Sequence, residues 1–148
     1  YGFKNALEIS ITNVDKPPLD FLDMYDRQTA LTDFDIIFTD APTFAEKASV
    51  FPGVSFIVGL DTIVRIADTK YYAGDAGKRD SAIKHIAAAG NKFLVFGLVG
   101  NSRFETLEDV ALPHALTELC TGVSEKDFRE DISSTLLRKA LNDGAKIE

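Results

Sequence analysis

Along residues 6–12 (Ala-Leu-Glu-Ile-Ser-Ile-Thr) apolar side chains recur at every second position, Leu7, Ile9 and Ile11. That period predicts a strand with one buried face. Pro17-Pro18 cannot continue a sheet, so the strand ends in a loop. Over residues 20–32 the period changes, and Phe21, Met24, Gln28 and Leu31 fall on one helical stripe. Ile36-Ile37-Phe38 reads as a short buried strand, residues 43–50 as a short helix closed by Pro52-Gly53, and residues 55–58 as another buried strand. Asp61 or Thr62 then stands where a helix running to about Ala67 needs its N-cap.

The second half continues the alternation. Residues 68–80, polar and carrying Gly74 and Gly77, read as a mobile loop. Residues 81–89 form a helix stopped by Gly90-Asn91, and residues 93–99 form the next buried strand. Residues 101–113 fit neither period, and residues 115–123 suit helix and strand equally. Residues 128–132 read as extended chain feeding a last helix that Gly144 ends. Strands alternating with helices imply an α/β chain with a mainly parallel sheet covered on both faces, a Rossmann-like three-layer sandwich. No repeat, low-complexity tract or linker divides it, so one domain is expected.

Composition narrows the function classes. At 148 residues the chain is long enough for a substantial core. A net charge of −7 argues against a broad nucleic-acid surface. No apolar run approaches the roughly 20 residues of a membrane span, and no signal-peptide pattern opens the sequence. The single Cys120 excludes an internal disulfide and, with only two scattered histidines, a structural zinc site. A reduced, cytoplasmic setting fits. The oligomeric state stays open, a homo-oligomer included.

Candidate chemistry concentrates in the tail, Asp131-Ile132-Ser133-Ser134-Thr135-Leu136-Leu137-Arg138. Three hydroxyl residues stand where a helix N-terminus is expected, and the free amides of a first helical turn favour a phosphate. Ser134 and Thr135 lie four and three residues before Arg138, so hydroxyls and guanidinium can share a face. A plain cap needs one hydroxyl, and the capping box is incomplete because Leu136, Leu137 and Arg138 fill the positions for Glu or Gln. The set reads as an anion clamp. Lys16, Asp61 and Ser133 each follow an expected strand, the edge at which open parallel sheets bind ligands.

Ile132-Ser133-Ser134-Thr135-x-x-Arg138 resembles the C-terminal signature of the nucleotidylyltransferase superfamily, most closely its nicotinamide and nicotinate mononucleotide adenylyltransferases. The run 51–62, ending Gly59-Leu60-Asp61-Thr62, is similar to the family's strand with Gly-x-Asp at the nucleotide site. Asn13-Val14-Asp15-Lys16-Pro17-Pro18-Leu19 is similar to its substrate-side loop. These segments keep the family's order and span nearly the whole chain. The family's catalytic His-x-Gly-His motif has no counterpart, since the only histidines are His85 and His114. The first apolar run matches the family's second strand, so the resemblance implies a first strand and catalytic histidines upstream of Tyr1.

What the resemblance implies is attack of a mononucleotide phosphate on the α-phosphate of ATP, releasing pyrophosphate, a step in NAD biosynthesis. Such a transfer rests on positioning and positive charge rather than a protein nucleophile. Ser133, Ser134, Thr135 and Arg138 would hold the β- and γ-phosphates, with Mg²⁺ bridging phosphate oxygens. Gly59 and Asp61 would approach the nucleotide, Asp61 accepting from ribose hydroxyls, and Lys16 would meet the substrate phosphate. Relatives stack a tryptophan on the pyridine ring; this chain has none, and Tyr71 and Tyr72 are the nearest substitutes. Leu98 stands where relatives carry a basic residue, the first here being Arg103. His85 reads as a solvated helix residue and His114 as a turn residue. Two other readings keep the fold: a non-catalytic nucleotide-binding or protein-interaction module, and another member such as a phosphopantetheine or cytidylyl transferase.

Overall fold

The computed structural model describes residues 5–100 and 102–127. The chain divides into two compact units, Tyr1–Pro52 and Gly53–Glu148. The expected extended segment 128–132 and the helix after it lie outside the described residues.

The first unit holds β1 (Ala6–Ser10), α1 (Phe21–Ala30), β2 (Asp35–Thr39) and α2 (Phe44–Val50). β1 and β2 run parallel from Ala6 opposite Asp35 to Ser10 opposite Thr39. The Ile11 amide extends the ladder to the Thr39 carbonyl at 2.7 Å. Asp20 caps α1 by accepting from the Asp23 amide at 2.8 Å. The stripe expected on α1 buries nothing: Phe21 is 88% exposed, while Met24 and Leu31 are half-buried. α2 starts in a full capping box, Thr43 accepting from the Glu46 amide and Glu46 from the Thr43 amide.

The core of this unit is partly ionic. Lys47 of α2 is buried, and its ammonium donates to both carboxylate oxygens of Glu8 on β1 at 2.7 Å. The Thr39 hydroxyl of β2 donates to the same carboxylate. One helix and both strands are thereby joined through a single anion.

The second unit contains β3 (Ser55–Gly59), α3 (Leu60–Ala67), α4 (Ala76–Ala88), β4 (Lys92–Phe96), β5 (Leu98–Val99), β6 (Phe104–Glu105), α5 (His114–Thr117) and β7 (Cys120–Val123). β3, β4 and β7 form a parallel sheet with β4 central; β5 and β6 form a small antiparallel hairpin. Leu60, Ile63 and Ile66 of α3, Ile83 and Ile86 of α4, Phe93 and Val95 of β4, and Leu116 after them make up the core. The Phe56 and Phe93 rings meet at 5.8 Å across β3 and β4. Among the described residues β1 pairs only with β2, and β3 only with β4, so each leaves one edge unpaired.

Several local expectations change. Residues 68–80 are not a loop. Asp68 caps a 3₁₀ turn, Thr69–Tyr72, and Asp75 caps α4 by accepting from the Gly77 and Lys78 amides at 2.8 and 3.1 Å. Aspartates that looked like loop polarity are caps, and α4 begins five residues earlier than the apolar period indicates. The strand expected over residues 93–99 breaks at Gly97, because β5 turns away to pair with β6. Residues 115–123 are helix and then strand, so both periods were present in succession. His114 is the first residue of α5 rather than a turn residue. The result is a mixed α/β chain with mostly parallel strand pairs. No described helix is long and apolar enough to cross a membrane.

Candidate functional site

In the second unit, the carboxyl end of β3 runs directly into α3 with no intervening loop. Gly59 is the N-cap, and no side chain caps the helix. This corrects the expectation that Asp61 or Thr62 is the cap: Asp61 sits inside the first turn, where a carboxylate is favoured by the helix dipole but no capping duty holds it. Gly59 has ordinary φ of −80°, so its backbone does not require glycine. A Cβ at Gly59 would stand 2.7 Å from Asp61 Oδ1, so with glycine here this carboxylate can lie against the strand end, and a side chain would turn it outward.

A cavity of about 390 Å³ opens beside this turn. α3 contributes Leu60, Asp61, Val64 and Arg65, and the following 3₁₀ segment contributes Asp68, Lys70 and Tyr71. Leu98 of β5, Glu105 of β6 and Val110 form the remaining wall. The buried ridge of α3 faces the core, so its opposite side is free to present Asp61, Val64 and Arg65. A second cavity, about 240 Å³ in the first unit, is lined by Gln28, Leu31, Thr32, Phe34 and Ile36 and offers no charged group.

The lining is electrostatically mixed. Asp68 Oδ1 accepts from the Lys70 amide at 2.9 Å, and its other oxygen lies 3.7 Å from the Lys70 ammonium. That ammonium also stands 4.9 Å from the Tyr71 ring centroid, within cation–π range. Among the described residues no cation forms an ion pair with Asp61 or Glu105. An apolar floor, one aromatic ring and carboxylates at the rim suit a flat ring bearing hydroxyl, amide or cationic groups.

Of the residues singled out in sequence, Asp61 and Tyr71 line this cavity, and Gly59 shapes the turn that presents Asp61. Tyr72 does not line it. Its hydroxyl donates to the Ile66 carbonyl at 3.0 Å, and burial pushes its pKa up despite the opposing pull of Arg79. Lys16 is exposed in the loop after β1 of the first unit. Ser133, Ser134, Thr135 and Arg138 lie outside the described residues. Both histidines are exposed, His85 on α4 and His114 on α5, where it faces Glu118 at 3.4 Å; neither lines the cavity.

Sequence reading missed Arg65, Lys70 and Glu105. Glu105 lay in the stretch that fits neither period, and no local pattern marks the two-residue strand that carries it. Arg103 continues the fold rather than the site: it pairs with Asp109 at 2.8 Å. Asp109 is also held below the usual carboxylate range, chiefly by the Thr106 amide and then by the Thr106 hydroxyl and Arg103. No group of three or more potential metal ligands occurs among the described residues. The chain matches no protein-family model, and no curated protein or solved structure matches it.

Proposed function

We propose that the chain is a nucleotidylyltransferase domain with a Rossmann-like three-layer sandwich fold, transferring the adenylyl group of ATP to a pyridine mononucleotide and releasing pyrophosphate. The observation that carries this reading is the β3–α3 turn. The Gly-x-Asp segment, picked out for its resemblance to a nucleotide site, stands at the carboxyl end of a parallel strand beside a cavity. Asp61 would accept from ribose hydroxyls and Tyr71 would carry the ring.

The phosphates of Mg–ATP, the metal arriving with the substrate, would fall to Ser133, Ser134, Thr135 and Arg138. Catalysis of this kind asks the protein for in-line placement and cationic contacts rather than for a nucleophile. A second reading is a nucleotide-binding or protein-interaction module of the same fold without turnover. Another member of the superfamily is the remaining alternative: a phosphopantetheine adenylyltransferase would keep the ATP half of the site, whereas a cytidylyltransferase would take CTP in its place.

The test separates binding from chemistry. ATP should raise the melting temperature, because a ligand bound only by the native state stabilises it. Arg138→Ala should remove that shift with an unchanged unliganded melting temperature. Pyrophosphate release in the presence of nicotinamide or nicotinate mononucleotide then distinguishes the enzyme from the binding module. No shift with ATP in the unmutated chain rejects both readings.

A further inference from the structure

We propose that the exposed face of α1 is a docking surface for a basic amphipathic helix of another protein, whose apolar stripe meets Phe21, Leu22 and Tyr25 and whose cations meet Asp23 and Asp26.

The face is formed before anything binds. The Leu19 amide donates to the Ile11 carbonyl at 2.9 Å, which ties the chain to the end of β1 just ahead of the helix. The Asp20 carboxylate then caps the first turn. Phe21, Leu22 and Tyr25 follow at once, and they are 88%, 74% and 66% exposed. Single apolar side chains at a surface are ordinary. These three stand within four residues of one another and share one side of the helix, which makes a patch. Met24 and Leu31 fall on the other side and are half-buried, with Gln28 and Leu31 lining the small cavity of this unit. A rigid, capped helix presents the patch without an ordering cost.

Charge selects the occupant. At about 100° per residue, Asp23 and Asp26 fall on the Leu22 flank of the patch, whereas Arg27, the only cation of α1, falls on the far side. Residues 20–35 carry five aspartates against that one cation. Among the described residues no cation forms an ion pair with Asp23 or Asp26. A helix with lysines or arginines beside an apolar stripe complements both parts of the face. A second copy of α1 does not, since it sets aspartates against aspartates. An anionic lipid surface is repelled for the same reason.

The experiment titrates the full chain with a synthetic peptide of about 18 residues, leucines at helical spacing and lysines elsewhere, by calorimetry and by amide chemical shifts. One control peptide has the same composition in an order without a stripe, and another keeps the stripe with glutamate for lysine. The striped basic peptide should bind at least about tenfold more tightly than either control, with shift changes gathered on residues 21–29. Leu22→Ala with Tyr25→Ala should weaken it about tenfold. Asp23→Asn with Asp26→Asn should weaken it at least about threefold at about 50 mM salt and less at about 500 mM. None of these side chains is buried, so the variants should melt within about 2 °C of the unmutated chain; the control peptides and the shift map decide the matter even if a variant fails to fold. Equal binding of the unstriped peptide, shift changes centred elsewhere, or unchanged affinity in the folded variants overturns the proposal. Vesicle binding or self-association that Leu22→Ala with Tyr25→Ala abolishes would give the face to lipid or to a second copy, and overturns it equally.

Discussion

The ion pair at the centre of the first unit makes a quantitative prediction. The Lys47 side chain is 8% exposed and that of Glu8 23%, so the ammonium end is the dry one. Removing one partner of a fully buried pair costs about 3–5 kcal/mol, largely because the other charge is left in a poorly solvated place. Glu8→Gln strands the ammonium, and water entering at the Glu8 end offsets part of that, leaving about 2–3 kcal/mol. Lys47→Met keeps most of the packed stem and strands the better-solvated carboxylate, for about 1–2 kcal/mol. The two changes together should cost clearly less than their sum, since neither charge is then left alone. Hydrogen exchange of the Ile11 amide, bonded to the Thr39 carbonyl across the β1–β2 ladder, reads this unit directly. Glu8→Gln should speed its exchange about 30- to 150-fold, at about 1.4 kcal/mol per decade. Acceleration below about threefold, or strict additivity in the double variant, would mean the pair is no more than a surface contact.

Asp61→Asn should leave the melting temperature within about 2 °C, because Asp61 caps nothing, yet weaken ATP about tenfold or more by isothermal titration if its carboxylate accepts from ribose hydroxyls. Gly97→Ala should destabilise by about 1–3 kcal/mol in urea unfolding, since its methyl meets the Glu105 carbonyl and the Phe104 ring and must push β6 away. Burial pushes the Cys120 thiol up from 9.0 to about 11. Its folded pKa is raised, so the associated stability is intact below pH 9 and is lost as pH climbs toward 11; Cys120→Ala should flatten the stability profile in that window, and alkylation of the native protein should be slow at neutral pH.

The main elements were legible because most follow one dominant rule. β1, β2, β3 and β4 came from alternation or short apolar runs, and α2 from the Pro52-Gly53 stop that closes it. The misreadings share one cause: a side chain serving the backbone looks like ordinary polarity. Asp68 and Asp75 were read as loop residues, whereas each accepts from amides that a starting helix leaves unpaired. Gly97 could not be recognised as a break, because nothing in Phe93-Leu94-Val95-Phe96-Gly97-Leu98-Val99 reveals that the chain leaves one sheet to pair in another. The stripe on α1 was real in spacing and false in consequence, since a period states which residues share a face and not whether anything covers it.

The site divides along the same line. Asp61 was picked out because Gly-x-Asp after a buried strand is a compact local pattern, and the first turn of α3 sets it in the cavity lining. Tyr71 and Tyr72 looked interchangeable in sequence, and a 3₁₀ turn separated them: one ring reaches the cavity, while the hydroxyl of the other closes onto Ile66. Glu105 was invisible because it arrives from more than forty residues away through a two-residue strand too short to carry a period. Among the described lining residues it is a third carboxylate, beside Asp61 and Asp68 and against Arg65 and Lys70.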